Sequence, residues 1–329
     1  MSKIFVTRKV PGKALEELLN TEHEVIISKF DRSLTPQELI EMGKGSDAII
    51  SLLTDKIDGE FIDAIGPQLK IISNYAVGFD NINLDQATEK GVVVTNTPSD
   101  EVNESVAEHA WALMLAVSRR VVESDESVRG GAYAGWEPDI FIGDNLYKKR
   151  LGILGMGRIG KMVASKAQGF NMKVIYYNRS RDEQSERDLG VEYVELEDLY
   201  RSSDYISVHL PLTEETRHMI NASVFEKMKH GSYLINTARG AIVDEHDLAK
   251  ALKNGHLSGA GIDVFDNEPY FNPEFLSMEN IVMTPHIASA TVDAREKMCR
   301  QAVDSVLKVL SGERPEELVN KDVWDKRRT

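Results

Sequence analysis

The chain has 329 residues, 42% of them apolar and 28% charged, ordinary proportions for a globular protein with a real core, and at ~150 residues per domain the length predicts two domains. A formal net charge of −14 argues against nucleic acid or an anionic membrane as partner through the overall field. The single cysteine, Cys299, excludes an intramolecular disulfide; with no signal-peptide core in Met1–Val10 and no run near the ~18 apolar residues of a membrane helix, the expectation is a cytoplasmic protein.

Short β-branched runs at Lys3–Thr7, Glu24–Ser28, Asp47–Leu52, Lys70–Asn74 and Val92–Thr95 alternate with helical patterns at Lys13–Leu19, Pro36–Gly43 and Leu84–Lys90. Strands alternating with helices read as a parallel sheet covered on both faces. Glu101–Val122 then predicts one long helix without Gly or Pro. Trp111, Leu113, Met114, Leu115 and Val117 occupy successive faces of it, more than one core stripe needs, so a second subunit is expected to cover the remainder. Arg129–Asn145, rich in Gly and aromatic residues, reads as irregular. A second series of strands follows at Arg150–Leu154, Lys173–Tyr177, Tyr205–His209, Ser232–Asn236, Gly259–Asp263 and Asn280–Thr284, the layout of a six-stranded dinucleotide-binding domain. Thr291–Leu310 predicts a further amphipathic helix.

The first strand of the second series runs into Gly155-Met156-Gly157-Arg158-Ile159-Gly160, a G-x-G-x-x-G in the strand–turn–helix setting that gives the motif meaning. Gly155 permits the turn, Gly157 lets backbone approach a pyrophosphate, and Gly160 lets helix pack on strand. The plainer reading is a glycine-rich connector. The next strand ends in Tyr177-Asn178-Arg179-Ser180-Arg181, with no acid before Asp182. An acid at that strand end would bond the ribose 2′-hydroxyl of NAD. Asn and Ser donors beside Arg suit a 2′-phosphate instead, so NADP(H) is the expected cofactor and NAD the alternative. A solvated basic turn is the competing reading.

Three further strand ends carry Arg239, Glu268 and His286, and ligands of doubly wound sheets bind in the crevice beyond such ends. Reducing a 2-oxo acid requires a cation for the carboxylate, an acid to protonate the nascent alkoxide, and a carboxylate to orient that acid. Singly, each residue has a blander reading: Arg239 a surface residue, Glu268 a loop carboxylate, His286 a cap. Together they favour a catalytic set with no metal.

The chain resembles the D-isomer-specific 2-hydroxyacid dehydrogenase family over nearly its whole length. The carrying segments are Asn74–Asn83, Thr95–Pro98, Glu108–Leu113, the glycine loop, His209–Leu212, Asn236–Gly240, Gly261–Val264, Glu268-Pro269 and Thr284–His286. Gly135-Trp136-Glu137-Pro138 and Tyr177–Ser180 are similar to the glyoxylate/hydroxypyruvate reductase branch. The resemblance implies two doubly wound α/β domains: a Rossmann domain, residues 100–287, inserted into a flavodoxin-like substrate domain of residues 1–99 and 288–329. It implies that the amides of Val77 and Gly78 bind the substrate carboxylate with Arg239, and that His286 is the acid/base paired to Glu268. Gly155, Met156, Gly157, Arg158, Ile159, Asn178, Arg179, Ser180, His209, Pro211, Thr237, Ala238, Arg239, His286 and Ala288 would line the cofactor, with Asp263 on the nicotinamide carboxamide. The Glu101–Val122 helix would build a homodimer, and the substrate would be glyoxylate or hydroxypyruvate. Within the family, 2-ketogluconate reductase, phosphoglycerate dehydrogenase and phosphite dehydrogenase are the alternatives; intact Glu268 speaks against formate dehydrogenase. A nucleotide-sensing, peptide-binding corepressor shares the fold and the triad.

Overall fold

A computed structural model describes residues 1–329, which form two compact units: Met1–Val102 with Ala290–Thr329, and Asn103–Ser289. The chain leaves the first unit within a helix, after Val102. Val102 is fully buried in the first unit's core, which holds that helical turn there. On return, the Ala288 amide is bound by Asp263, which keeps residue 288 with the second unit.

In the first unit β1 (Lys3–Val6), α1 (Lys13–Leu19), β2 (Glu24–Ile27), α2 (Pro36–Gly43), β3 (Ala48–Leu52), α3 (Gly59–Ile65), β4 (Ile71–Tyr75), α4 (Leu84–Glu89) and β5 (Val93–Thr95) alternate. The strands form a parallel sheet in the order β2-β1-β3-β4-β5, the flavodoxin-like order. Successive side chains of a strand point to opposite faces. Ile4, Val6, Ile50, Ile71 and Val93 accordingly pack on α1 and the C-terminal helix Val292–Leu310. Phe5, Ile49, Ile72 and Val94 face the other way, toward α2, α3 and α4. Burial on both faces explains why these strands are continuous apolar runs. Helix α2 begins on a capping box in which Thr35 and Glu38 bond reciprocally, with Pro36 inside the first turn. The chain's return is pinned at the sheet edge, where Asn320 accepts from the Val94 amide at 2.8 Å and donates to the Val92 carbonyl at 2.9 Å.

The second unit begins in α5 (Asp100–Ser118) and α6 (Val121–Arg129). One helix over Glu101–Val122 was expected; two are present. The Ser118 carbonyl, which would accept from residue 122 in an unbroken helix, is taken by the Asp144 amide at 2.8 Å, and Arg120 turns left-handed at φ 51°. Gly143 lies so close that a Cβ on it would stand 2.3 Å from that carbonyl oxygen. Of the side chains that suggest a second subunit, Trp111, Leu113, Met114 and Val117 are buried against this unit's own sheet, and Leu115 is half-buried beside them.

Then follow β6 (Arg150–Leu154), α7 (Arg158–Ala167), β7 (Lys173–Tyr177), α8 (Glu183–Leu189), β8 (Glu192–Tyr193), α9 (Leu196–Ser202), β9 (Tyr205–Val208), α10 (Ala222–Phe225), β10 (Ser232–Asn236), α11 (Glu245–Lys253), β11 (Leu257–Ile262) and β12 (Ile281–Met283). The parallel sheet has seven strands, not six, ordered β12-β11-β10-β9-β6-β7-β8. That is the Rossmann order with a seventh strand, β12, beyond the sixth. The strand missed in sequence is β8, a two-residue edge strand paired to β7. The order reverses between β6 and β9, the switch point where such sheets bind ligands.

Candidate active site

The glycine loop joins β6 to α7. Gly155 has φ 97°, a region that side chains avoid, and a Cβ there would meet the His209 carbonyl oxygen at 2.5 Å. A Cβ on Gly160 would meet the Gly155 carbonyl oxygen at 2.2 Å, so helix and turn pack at backbone distance. A Cβ on Gly157 would meet nothing within 4 Å. The space before the first turn of α7 is open, and N–H groups and the helix dipole favour an anion there. Arg158, exposed, opens that turn.

At the end of β7, Asn178 Oδ1 accepts from the Met156 amide at 2.8 Å, tying this strand end to the glycine loop. Arg179 and Ser180 are exposed. Arg181 is engaged in two 2.7 Å bonds to Glu186. Asp182 caps α8 through the Ser185 amide and pairs with Lys161 at 2.7 Å; these contacts, Lys161 foremost, hold its carboxyl well below the usual range. At the end of β9, burial pushes the His209 imidazole down to about 4, so it is neutral near pH 7, and its Nε2 lies 2.8 Å from Ser207 Oγ. Pro211 lies just beyond, its carbonyl accepting from Thr216 Oγ1. Thr237, after β10, has a buried hydroxyl without a partner, the state expected of a group whose partner arrives with a ligand. These features fit a dinucleotide.

The three catalytic candidates leave adjacent strands at one level, since Asn236 pairs Ile262 and Ile262 pairs Met283 in the sheet register. Asn236 builds the turn after β10: its Oδ1 accepts from the Ala238 amide and its Nδ2 donates to the Arg239 carbonyl. Arg239, half-buried, donates from Nη1 to the Ala238 carbonyl at 2.8 Å. His286 Nδ1 stands 2.8 Å from Glu268 Oε2 and 3.1 Å from Oε1. A carboxylate accepts only, so Nδ1 carries the hydrogen and Nε2 is left for chemistry. The Phe265 amide donates to Glu268 Oε1 at 3.1 Å. Glu245, not singled out in sequence, holds that same loop by accepting from the Asp266 and Asn272 amides at 2.8 and 2.7 Å.

Asp263 is fully buried, and what it holds is protein: Thr284 Oγ1 and the Ile287 amide on one oxygen, the Ala288 amide on the other. These bonds anchor the loop of His286 to the end of β11. Val77 and Gly78 belong to the first unit, in the loop after β4. Their carbonyls are bound by Asn96 at 2.7 Å and Asn74 at 3.0 Å.

A dinucleotide cradle at the switch point beside an imidazole–carboxylate pair and a guanidinium defines a nicotinamide-dependent oxidoreductase. Residues 111–288 match the model for the D-isomer specific 2-hydroxyacid dehydrogenase NAD binding domain. The chain is 45% identical over 325 residues to the glyoxylate reductase of Thermococcus litoralis, covering 98% of this chain and 97% of that one. A solved structure from Thermus thermophilus superposes with a TM-score of 0.89 at 40% identity, covering 96% of this chain and 99% of that one. The NADPH-dependent glyoxylate/hydroxypyruvate reductase of Sinorhizobium meliloti, solved with NADP and malonate, does so at 0.85 and 30% identity, covering 100% and 99%. The chain belongs to the D-isomer-specific 2-hydroxyacid dehydrogenase family and is an NAD(P)-dependent dehydrogenase of that kind. No helix is long and apolar enough to cross a membrane.

Proposed function

We propose that this enzyme reduces glyoxylate or hydroxypyruvate to the corresponding 2-hydroxy acid, with NADPH preferred. The observation that carries the chemistry is the 2.8 Å His286–Glu268 pair, set at the strand ends beside Arg239 and the glycine loop. A bound nicotinamide supplies or accepts the hydride. Protonated His286 gives its Nε2 proton to the substrate oxygen, and the Glu268 carboxylate stabilises the imidazolium beforehand. Arg239 offers two parallel bonds to the substrate carboxylate and polarises the carbonyl. The Val77 and Gly78 amides keep the role the resemblance gives them, as further donors to that carboxylate. The names of the similar proteins, glyoxylate reductase and glyoxylate/hydroxypyruvate reductase, support the substrate class. In an absorbance assay offering glyoxylate, hydroxypyruvate, pyruvate and 2-ketogluconate with NADH and NADPH, one of the first two is expected to give the highest kcat/KM. Cofactor binding without turnover of any 2-oxo acid would sink the reading.

The enzyme is proposed to work as a homodimer. Eight of the fifteen large apolar side chains that are exposed lie within residues 121–147, among them Val128 at 59%, Tyr133 at 62% and Trp136 at 83% exposure. One segment this rich in exposed apolar side chains fits an interaction surface, and a second copy would offer the same segment in return. Light scattering at micromolar concentration is expected to give twice the 36.8 kDa chain mass; a monomer mass would contradict it.

A further inference from the structure

The loop bearing His286 is gripped from outside at both ends by one helix. Ser105 Oγ in α5 donates to the Ala288 carbonyl at 2.8 Å. His109, one turn later, places Nε2 2.9 Å from Thr284 Oγ1 and 3.4 Å from Asp263 Oδ1. Residues four apart share a helix face, so the two side chains reach the loop together. The direction of the bonds is fixed. Thr284 Oγ1 lies 2.6 Å from Asp263 Oδ1, and the carboxylate can only accept. The Thr284 hydroxyl therefore gives its hydrogen to Asp263 and accepts from His109, whose proton must sit on Nε2.

Between the two gripped residues His286 has φ 54°, a left-handed backbone that costs a non-glycine residue free energy unless its surroundings enforce it. Its amide bonds to the Asp263 carbonyl at 2.8 Å and the Thr284 carbonyl at 3.1 Å. Burial acts to raise the Asp263 carboxyl, yet bonds from His109, Thr284 and the Ile287 and Ala288 amides outweigh it and hold the group below its usual range.

We propose that Ser105 and His109 are positioning residues, a two-point clamp through which α5 sets the place of the His286 imidazole. The inference rests on reading His286 as the acid/base. The clamp acts through the loop: releasing either end lets the strained segment relax and moves Nε2 from its place against the substrate, where a 1 Å error can cost ~10²-fold.

The test compares His109→Leu, which removes the donor, with His109→Gln, which offers an amide N–H in its place, alongside Ser105→Ala. Each is assayed on the best 2-oxo acid of the panel and melted by circular dichroism. The His109→Leu and Ser105→Ala variants are expected to lose about 10-fold in kcat with KM little changed, and His109→Gln to recover most of it. Where His109→Leu does not fold, Thr284→Val against Thr284→Ser asks the same question, Thr284→Ser being the variant that retains activity. Unchanged kcat in His109→Leu, Ser105→Ala and Thr284→Val, or equal loss in His109→Gln and His109→Leu, overturns the clamp. His286→Asn is the control: if it keeps full activity, the reading of His286 itself fails and the clamp with it. If it is inactive while the clamp variants are unaffected, the clamp alone fails.

Discussion

Arg239→Lys is expected to lower kcat/KM by at least ~10²-fold, or ~2.7 kcal/mol of transition-state stabilisation, with little change in thermal stability. A guanidinium is a planar fork that can bind a carboxylate through two parallel bonds, whereas an ammonium is a point charge on a flexible stem. Arg239 already uses Nη1 on the Ala238 carbonyl, which fixes the guanidinium plane beside its own backbone. A lysine has one nitrogen and cannot anchor its plane while presenting a fork. Folding is insulated from the change because the turn is built by other atoms: Asn236 binds the Arg239 carbonyl, and Gly240 fits so tightly that a Cβ there would stand 1.8 Å from the Phe265 carbonyl carbon. Steady-state kinetics beside a melting curve reads both. Kinetics equal to the unmodified enzyme would remove Arg239 from the site; a collapsed melting midpoint would make its role structural.

What is legible in the sequence is what local physics determines. Helix α2 has its cap, its Pro and its periodicity in consecutive residues, and the sequence-based bounds coincide with the observed ones. The glycine loop likewise declares itself, because Gly155 and Gly160 answer clashes with backbone a few residues away or at the neighbouring strand. Helix α3 is faint in the sequence: its seven residues begin with Gly, and its cap is Asp58 bonded to the Phe61 amide, a signal too short to stand out. The break after Ser118 was invisible because its cause is the amide of Asp144, far along the chain. Residue types at strand ends pointed to Glu268 and His286 as a pair, and they do bond. Nothing local pointed to Glu245, whose partners Asp266 and Asn272 lie 21 and 27 positions away, or to Ser105, whose partner lies 183 away. Supporting residues are recognised by what they touch, and touch is settled by tertiary packing.

NADPH is expected to bind more tightly than NADH, and the residues around the end of β7 set the reason. An acid there would bond a ribose hydroxyl and repel a 2′-phosphate; Asn178 stands in its place. Its Oδ1 is committed to the Met156 amide, so the side chain is fixed and its Nδ2 remains as a donor. The next acid along the chain, Asp182, is turned to the α8 cap and Lys161, and Arg181 is occupied by Glu186. That leaves the recognition of a phosphate to Arg179 and Ser180. Hydrogen bonds to charged groups contribute ~1.5–3 kcal/mol, so one Arg179–phosphate contact is worth roughly 10- to 100-fold in affinity. Arg179→Ala is therefore expected to weaken NADPH by that factor and leave NADH nearly unchanged, since only NADPH carries the phosphate. Asn178→Asp keeps an acceptor for Met156 but brings a negative charge, and is expected to shift preference toward NADH. Because Arg179 is exposed, its contribution should shrink as salt is raised. Fluorescence titration of both cofactors against the three proteins separates the outcomes. Equal or tighter NADH binding by the unmodified enzyme would mean that Arg179 serves solvent and that Asn178 bonds the ribose hydroxyl instead.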